Sequence, residues 1–330
     1  MAEMSYRSFE EQALHYFQRP HDGLPAGPVV GPAAWRSADL RDESEWTETL
    51  DAEAIAELEQ AHDRAIRRGV EMASLSAAAF PLPRLTERIR RWRQELLHGR
   101  GFLVVRGLPV ELWGEGKSAY VYWALGLHLG YPGAQNPQGD LLGHVVATGE
   151  DAANIYVRRY RTAGDIAYHC DLADVVGLLC LQTARSGGGS RIVSSVSVFN
   201  VLRERRPDLA ARLFEPRLLD RRDEGRSGPG YVPVYPCRFA AGQLRTFYHS
   251  DYFRSVTRHA EVPPFTEEEW EMLDTYEAIA NEPDLCLDMQ FQRGDIQLLS
   301  NHFVLHARTA YEDDAMPARR RHLLRLWLSL

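Results

Sequence analysis

The chain has 330 residues, 45% hydrophobic and 25% charged, with 38 basic against 46 acidic side chains for a net charge of −8. That is enough chain for one large domain or two small ones, and it offers none of the basic field a polyphosphate backbone requires, so nucleic acid is not an expected partner. No apolar run approaches a membrane span, and the N-terminal MAEMSYRSFEEQALHYF carries acidic residues where a secretory signal has a basic and then an apolar region, so a cytoplasmic location without membrane attachment is expected.

Residues 1–45 are rich in Pro, Gly and Ala with little periodicity and read as an irregular arm. Two helices follow. DAEAIAELEQAHDRAIRRG places Ile55, Leu58 and Ile66 on one face and stops at Gly69, and LTERIRRWRQELLHGRG spaces Leu85, Ile89, Trp92 and Leu96 by four, three and four. GFLVVRGLP reads as a short buried strand. Lys117 is the chain's one lysine, and its GEGKS resembles the end of a phosphate-binding loop. The first glycine of that motif is replaced by Glu111, so the backbone cradle is incomplete.

From about residue 166 the texture changes to brief apolar runs: VVGLLCLQTA, RIVSSVSV, YVPVYP, LCLDMQF, DIQLLS, HFVLHART and HLLRLWLSL. Short strands between Gly-rich turns predict a mainly β sandwich or barrel with helical additions, in front and at 264–281. No repeat or linker divides the chain, so 1–330 reads as a single domain. Cys170, Cys180, Cys237 and Cys286 lack CxxC pairing and read as buried small hydrophobes rather than a disulfide or zinc framework.

Two His-x-Asp pairs stand out, His169/Asp171 in YHCDLAD and His249/Asp251 in YHSDYF. Residues two apart on a strand share a face. Two histidines and one carboxylate on one side of a metal are the donor set of a non-haem iron(II) site with open positions. NHFVLHART supplies the third donor, as His306 or His302. Separation along the chain does not choose between the two pairs. The surroundings are more telling: His169 leads into a buried strand, the turn SGGGS and another strand, a rigid platform, whereas YFRSVTRHAEVPPF after His249 has little strand character and reads as a loop or lid.

The run YHCDLADVVGLLCLQTARSGGGSRIVSS, with GDIQLLSNHFVLHARTAYED and RRRHLLRLWL after it, resembles the taurine dioxygenase superfamily and its clavaminate synthase-like members. The resemblance is clearest over 166–200 and 293–330 and weak over 200–290. It implies a double-stranded β-helix (jelly-roll) core flanked by N-terminal helices, and an iron(II)- and 2-oxoglutarate-dependent oxygenase. Such an enzyme uses O2 to hydroxylate or desaturate an unactivated C–H bond while 2-oxoglutarate is decarboxylated to succinate.

Carried over by position, the resemblance implies His169, Asp171 and His306 as iron ligands. His306 is preferred to His302 because Ala307-Arg308-Thr309 follows it. Arg321 corresponds to the arginine that pairs with the far carboxylate of 2-oxoglutarate, a task suited to a forked guanidinium. Ser190 stands where a hydroxyl meets the same carboxylate, and Arg325 meets substrate or co-substrate. His249, Asp251 and Asn136 are candidate substrate contacts. Gln135, Arg158, Arg159 and Arg161 lie in segments that could line the same cavity.

Residues 200–290 read as an insert between core strands, and 220–262, charged, Gly-rich and without a periodic apolar face, as a mobile lid. The arginines favour a small acidic or amino-acid-like substrate, and a homo-oligomer is possible. Two other readings remain: a β-barrel that binds a small ligand without turnover, for which the three ligands and Arg321 would be dispensable, and an iron-dependent oxidase that does not use 2-oxoglutarate, against which Arg321 argues.

Overall fold

The computed structural model describes residues 6–151, 154–222 and 229–330. Two β-sheets form its centre. The larger runs Thr47–Thr49, Phe102–Arg106, Ile296–Ser300, Val175–Gln182, His322–Ser329, Tyr131–Gly133, with Leu142–Val145 also paired to His322–Ser329. All these pairs are antiparallel except the first. The smaller sheet is antiparallel in the order Cys286–Met289, Ser190–Ser194, Val304–Arg308, Ile166–His169.

Register fixes which side chains face the space between the sheets, because side chains alternate along a strand. Val104, Gln297, Leu178 and Arg325 form one row across the large sheet, and Phe102, Leu299, Val176 and Trp327 the next. On the small sheet His169, His306 and Ile192 are in register. Phe102, Val176, Leu299 and Trp327 join Ile192 and Val304 in one apolar cluster, so the two sheets share a core.

The other face of the large sheet is equally dry. Leu103, Val105, Leu179, Leu298, Leu324 and Leu326 pack with Ile89, Trp92 and Leu96 of helix Thr86–His98 and with Val121 and Trp123 of helix Val110–Leu129. Burial on both faces explains why these strands read as unbroken apolar runs. Close approach of helix and sheet depends on glycine at two points. A Cβ on Gly126 would lie 2.3 Å from Leu326 Cδ2, and one on Gly177 would lie 2.4 Å from the Tyr122 hydroxyl.

Several elements differ from the sequence expectation. The arm over 1–45 contains the helix Phe9–Phe17, started by a capping box in which Ser8 and Glu11 exchange side-chain and backbone bonds. Helix Ala52–Arg67 buries Ala54, Leu58, Ala61 and Ala65, while Ile66 is exposed; the inward stripe is made of alanines, which apolar periodicity counted on large residues does not register. RIVSSVSV splits, since the strand ends at Ser194, whose side chain caps helix Ser195–Arg205. Lys117 is helical, lies 5.1 Å from the Trp113 ring and faces Glu59 at 3.7 Å, so GEGKS is not a phosphate loop.

Much of 220–262 is pinned, contrary to the unanchored segment expected there. Phe247, Tyr248, Phe253 and Val256 are buried, Tyr248 lies 4.4 Å from Tyr276 by ring centroid, and Ser250–Ser255 is a helix. Asp220 is fully buried between Arg258 and His259. The charged RRDEGRSG stretch falls largely at 223–228, outside the described residues.

Candidate iron and co-substrate site

His169 closes the strand Ile166–His169 and stands opposite His306 of Val304–Arg308, their ring centroids 4.1 Å apart. The chain turns out of the strand at Cys170, which donates its N–H to the Tyr248 carbonyl at 2.8 Å, and Asn301 accepts the Asp171 N–H at 3.0 Å. This brings the Asp171 carboxylate back to the two rings. Donor atoms of His169, Asp171 and His306 all lie within 4.8 Å of one another, and His306 Nε2 is 3.9 Å from Asp171 Oδ2.

The groups around the triad prepare it for a cation. Asp171 is 8% exposed, and burial alone would raise its pKa. Arg325 at 3.4 Å, the two imidazoles and the Trp327 indole N–H, 2.9 Å from Oδ2, outweigh that and hold the carboxyl well below its ordinary range. Burial, with the His169 and Arg325 charges, pushes His306 down to about 3, so its ring is neutral and has a lone pair to offer. His169 Nδ1 lies 2.9 Å from the Ala167 carbonyl, so it carries the proton and leaves Nε2 free. His306 Nδ1 is buried with no hydrogen-bond partner. Two imidazoles and a carboxylate, with an orphaned ring nitrogen on His306, fit a hard-to-borderline divalent metal such as iron(II).

A cavity of about 90 Å³ opens on His169 and Asp171, lined also by His249, Arg222, Tyr252 and Arg325. His249 bridges to His169 through the backbone, its ring 5.0 Å from His169 and 4.1 Å from Tyr252. Burial first, then the His169 and Arg222 charges, keep its pKa well below the ordinary value. Arg325 stacks between Tyr160 and Trp327, at 4.7 and 5.0 Å, and its Nε donates to Gln135 Oε1 at 2.7 Å. Gln135 returns a bond from Nε2 to the Arg325 carbonyl, which fixes the arginine at backbone and tip.

Arg321 and Ser190 sit along the same inter-sheet space but do not line that cavity. Ser190 stands in register with Arg308, on the face that holds His306, and its hydroxyl donates to Gln297 Oε1 at 3.1 Å. Arg321 is 4% exposed beneath the Tyr311 ring, and its Nη1 has no partner. Arg308, its guanidinium 4.8 Å from the centre of the same ring, also leaves Nε and Nη1 unpartnered, as does the Tyr311 hydroxyl. Burial and the Arg321 charge push Arg308 down to about 10. Two buried guanidiniums with spare N–H groups fit an incoming carboxylate.

Other candidates fall outside. His302 is committed to Asp174, at 2.8 Å, together with His15 of the N-terminal helix and Arg19, so it is not at the triad. Asn136 caps its own turn, accepting the Gln138 and Asp140 N–H groups and donating to the Asp140 carboxylate, and does not reach the cavity. Asp251 does not itself line the cavity but pairs at 3.3 Å with Arg159, which does. Trp327 and Arg308 were missed as site residues. His-Ala-Arg places Arg308 two positions after His306, on the same face, which was the available signal. Nothing local marks Trp327.

Residues 64–327 match the model of the family described as taurine catabolism dioxygenase TauD, TfdA family. The chain belongs to this family. It is an iron(II)- and 2-oxoglutarate-dependent dioxygenase. The dioxygenase is 32% identical over 318 residues to FR-33289 synthase of Streptomyces rubellomurinus, spanning 92% of this chain and 91% of that protein. Its fold is similar to that of asparagine oxygenase in complex with Fe(II), 2S,3S-3-hydroxyasparagine and succinate, with TM-score 0.67, 19% identity, and 86% and 93% of the two chains covered. It is also similar to the non-heme iron oxygenase OrfP in complex with Fe and alpha-ketoglutaric acid, with TM-score 0.60, 14% identity, and 86% and 93% covered. No described helix is long and apolar enough to cross a membrane.

Proposed function

We propose that the dioxygenase holds iron(II) on His169, Asp171 and His306 and takes the far carboxylate of 2-oxoglutarate on Arg321. Ser190 and Arg325 border the path between, and the substrate is a small acidic or amino-acid-like molecule that is hydroxylated or desaturated. The observation that carries this reading is the convergence of the three donors at one end of the inter-sheet space. The bound metal supplies activation of O2 coupled to decarboxylation of the co-substrate. The chain's own residues orient and enclose. Trp327 and Arg325 fix the carboxylate of Asp171, the Ala167 carbonyl fixes the His169 tautomer, and the apolar faces of the two sheets exclude water.

Charge supports the acidic substrate. Arg158, Arg159, Arg222 and Arg325 line the cavity, where Asp171 is the lining carboxylate and Asp251 engages Arg159 from outside the lining. The asparagine oxygenase complex holds a hydroxylated amino acid, consistent with an amino-acid-like substrate here, and His249 is placed to meet it. The buried guanidinium N–H groups without partners, Nη1 of Arg321 and Nε and Nη1 of Arg308, favour use of 2-oxoglutarate over an oxidase that dispenses with it. We read the two sheets as a double-stranded β-helix in a single domain, with 200–290 as its insert. The four unpaired cysteines suit a reducing cytoplasm.

The test is a mass-spectrometric screen of amino acids and phosphorylated or carboxylated small molecules, followed by succinate release. A substrate-dependent rise in succinate with a product 16 mass units heavier or 2 lighter is expected (roughly, for one O gained or two H lost). Succinate release that is equal with and without every acidic compound, while a neutral or cationic one stimulates it, would overturn the substrate class.

A further inference from the structure

A second group of metal-binding side chains lies outside the iron site and shares no residue with it. Helix Val110–Leu129 is broken at Gly114, whose φ of 70° is not helical, and Glu115 opens the second run. His144 is on Leu142–Val145, opposite Leu324. His322 begins the strand His322–Ser329, two residues from Leu324, so the two imidazoles share the helix-facing side of the sheet as diagonal neighbours.

Their donors converge. His144 Nδ1 lies 2.8 Å from His322 Nε2 and 3.9 Å from Glu115 Oε1, and His322 Nδ1 lies 3.9 Å from Glu115 Oε2. One ligand atom from each of the three falls within 4.8 Å of the others. Nitrogen and oxygen donors on a tetrahedral zinc, bound at about 2.0–2.2 Å, sit roughly 3.3 Å from one another. The 2.8 Å between the imidazoles and the 3.9 Å from His144 Nδ1 to Glu115 bracket that value, while the 3.9 Å contact of Glu115 with His322 is to Nδ1, the ring nitrogen turned from His144, so closing the set takes a rotation of the Glu115 side chain or of the His322 ring.

Glu115 and His322 form part of the wall of a cavity of about 520 Å³ that Arg293 and Arg321 also line. Arg293 is engaged by Glu111 at 2.8 Å, which offsets its charge.

We infer that Glu115, His144 and His322 form a second divalent-cation site, for zinc or a similarly borderline ion, that ties helix Val110–Leu129 to the strand beginning next to Arg321. Two imidazoles and a carboxylate suit zinc better than magnesium or calcium, which prefer all-oxygen shells. The cavity leaves room for a fourth ligand.

The experiment is zinc titration of the full-length protein by calorimetry and by metal analysis after dialysis, using zinc chloride alone. His144→Gln and Glu115→Gln alter half-exposed side chains and leave the core untouched. Wild type is expected to retain two equivalents, and His144→Gln, Glu115→Gln and His169→Ala one each. Zinc should also raise the melting temperature of His169→Ala but not of His144→Gln/His169→Ala. Two equivalents retained by His144→Gln, or a single wild-type equivalent that His169→Ala abolishes, would overturn the inference. If His169→Ala keeps two equivalents while His144→Gln keeps one, the second site stands and the iron assignment to His169 falls.

Discussion

Replacing Arg321 with methionine should raise stability and weaken 2-oxoglutarate binding at the same time. Arg321 is 4% exposed, its Nη1 donates to nothing, and burial lowers its pKa, with Tyr311, Cys180 and Asp313 opposing only in part. An incompletely paired buried charge opposes folding, and an apolar residue of similar length removes that burden, a gain of about 1–3 kcal/mol. The Arg321 N–H to Asp313, at 2.7 Å, is a main-chain bond and survives the change. Binding moves the other way. A charge-assisted contact to a carboxylate is worth about 1.5–3 kcal/mol, so the Kd for 2-oxoglutarate should rise roughly 10- to 150-fold. Urea denaturation of the metal-free protein reads the first effect, and calorimetric titration of 2-oxoglutarate into the anaerobic iron-loaded protein reads the second. A variant that loses more than about 2 kcal/mol of stability and keeps its 2-oxoglutarate affinity would refute this reasoning, because Arg321 would then be structural.

Trp327→Phe removes the indole N–H that orients Asp171 and should weaken iron(II) binding about 10- to 100-fold in an anaerobic titration, with secondary structure unchanged by circular dichroism. His302→Gln should leave one iron per chain by metal analysis yet cost about 1–3 kcal/mol in urea, since His302 serves Asp174 and not the triad. Burial raises the Asp174 pKa, but His15, His302 and Arg19 overcome it and hold the folded-state carboxyl well below its unfolded value. Its contribution is therefore present above about pH 4 and lost as pH falls below that, so Asp174→Asn should be less stable at pH 7 and show a shallower loss of stability between about pH 4 and 2.

The triad was legible because its spacing is local: two residues from His169 to Asp171 on a strand end, and a histidine on a strand that pairs with it. The strand runs were legible for a related reason, since burial on both faces leaves no polar residue to interrupt them. What supports the site was not. Trp327 and Arg325 meet Asp171 across more than 150 residues of chain, and Gln135 meets Arg325 across 190. Those contacts follow from sheet register, which periodicity alone does not set. The N-terminal helix was missed although Ser8-x-x-Glu11 is a capping signature, because the Pro- and Gly-rich stretch after it dominates the composition. His302 and His306 both fit a strand face. The tight turn at Ser300–Phe303, where Phe303 N–H reaches the Ser300 carbonyl, takes His302 off the strand and down onto Asp174.

Iron content after anaerobic loading tests the central claim most directly, measured on His169→Ala, Asp171→Ala, His306→Ala and His249→Ala beside the wild type. Near-stoichiometric iron is expected in wild type and His249→Ala, and strong loss in the other three. Retention of iron in His169→Ala together with its loss in His249→Ala would contradict the account and move the metal to the second His-x-Asp pair.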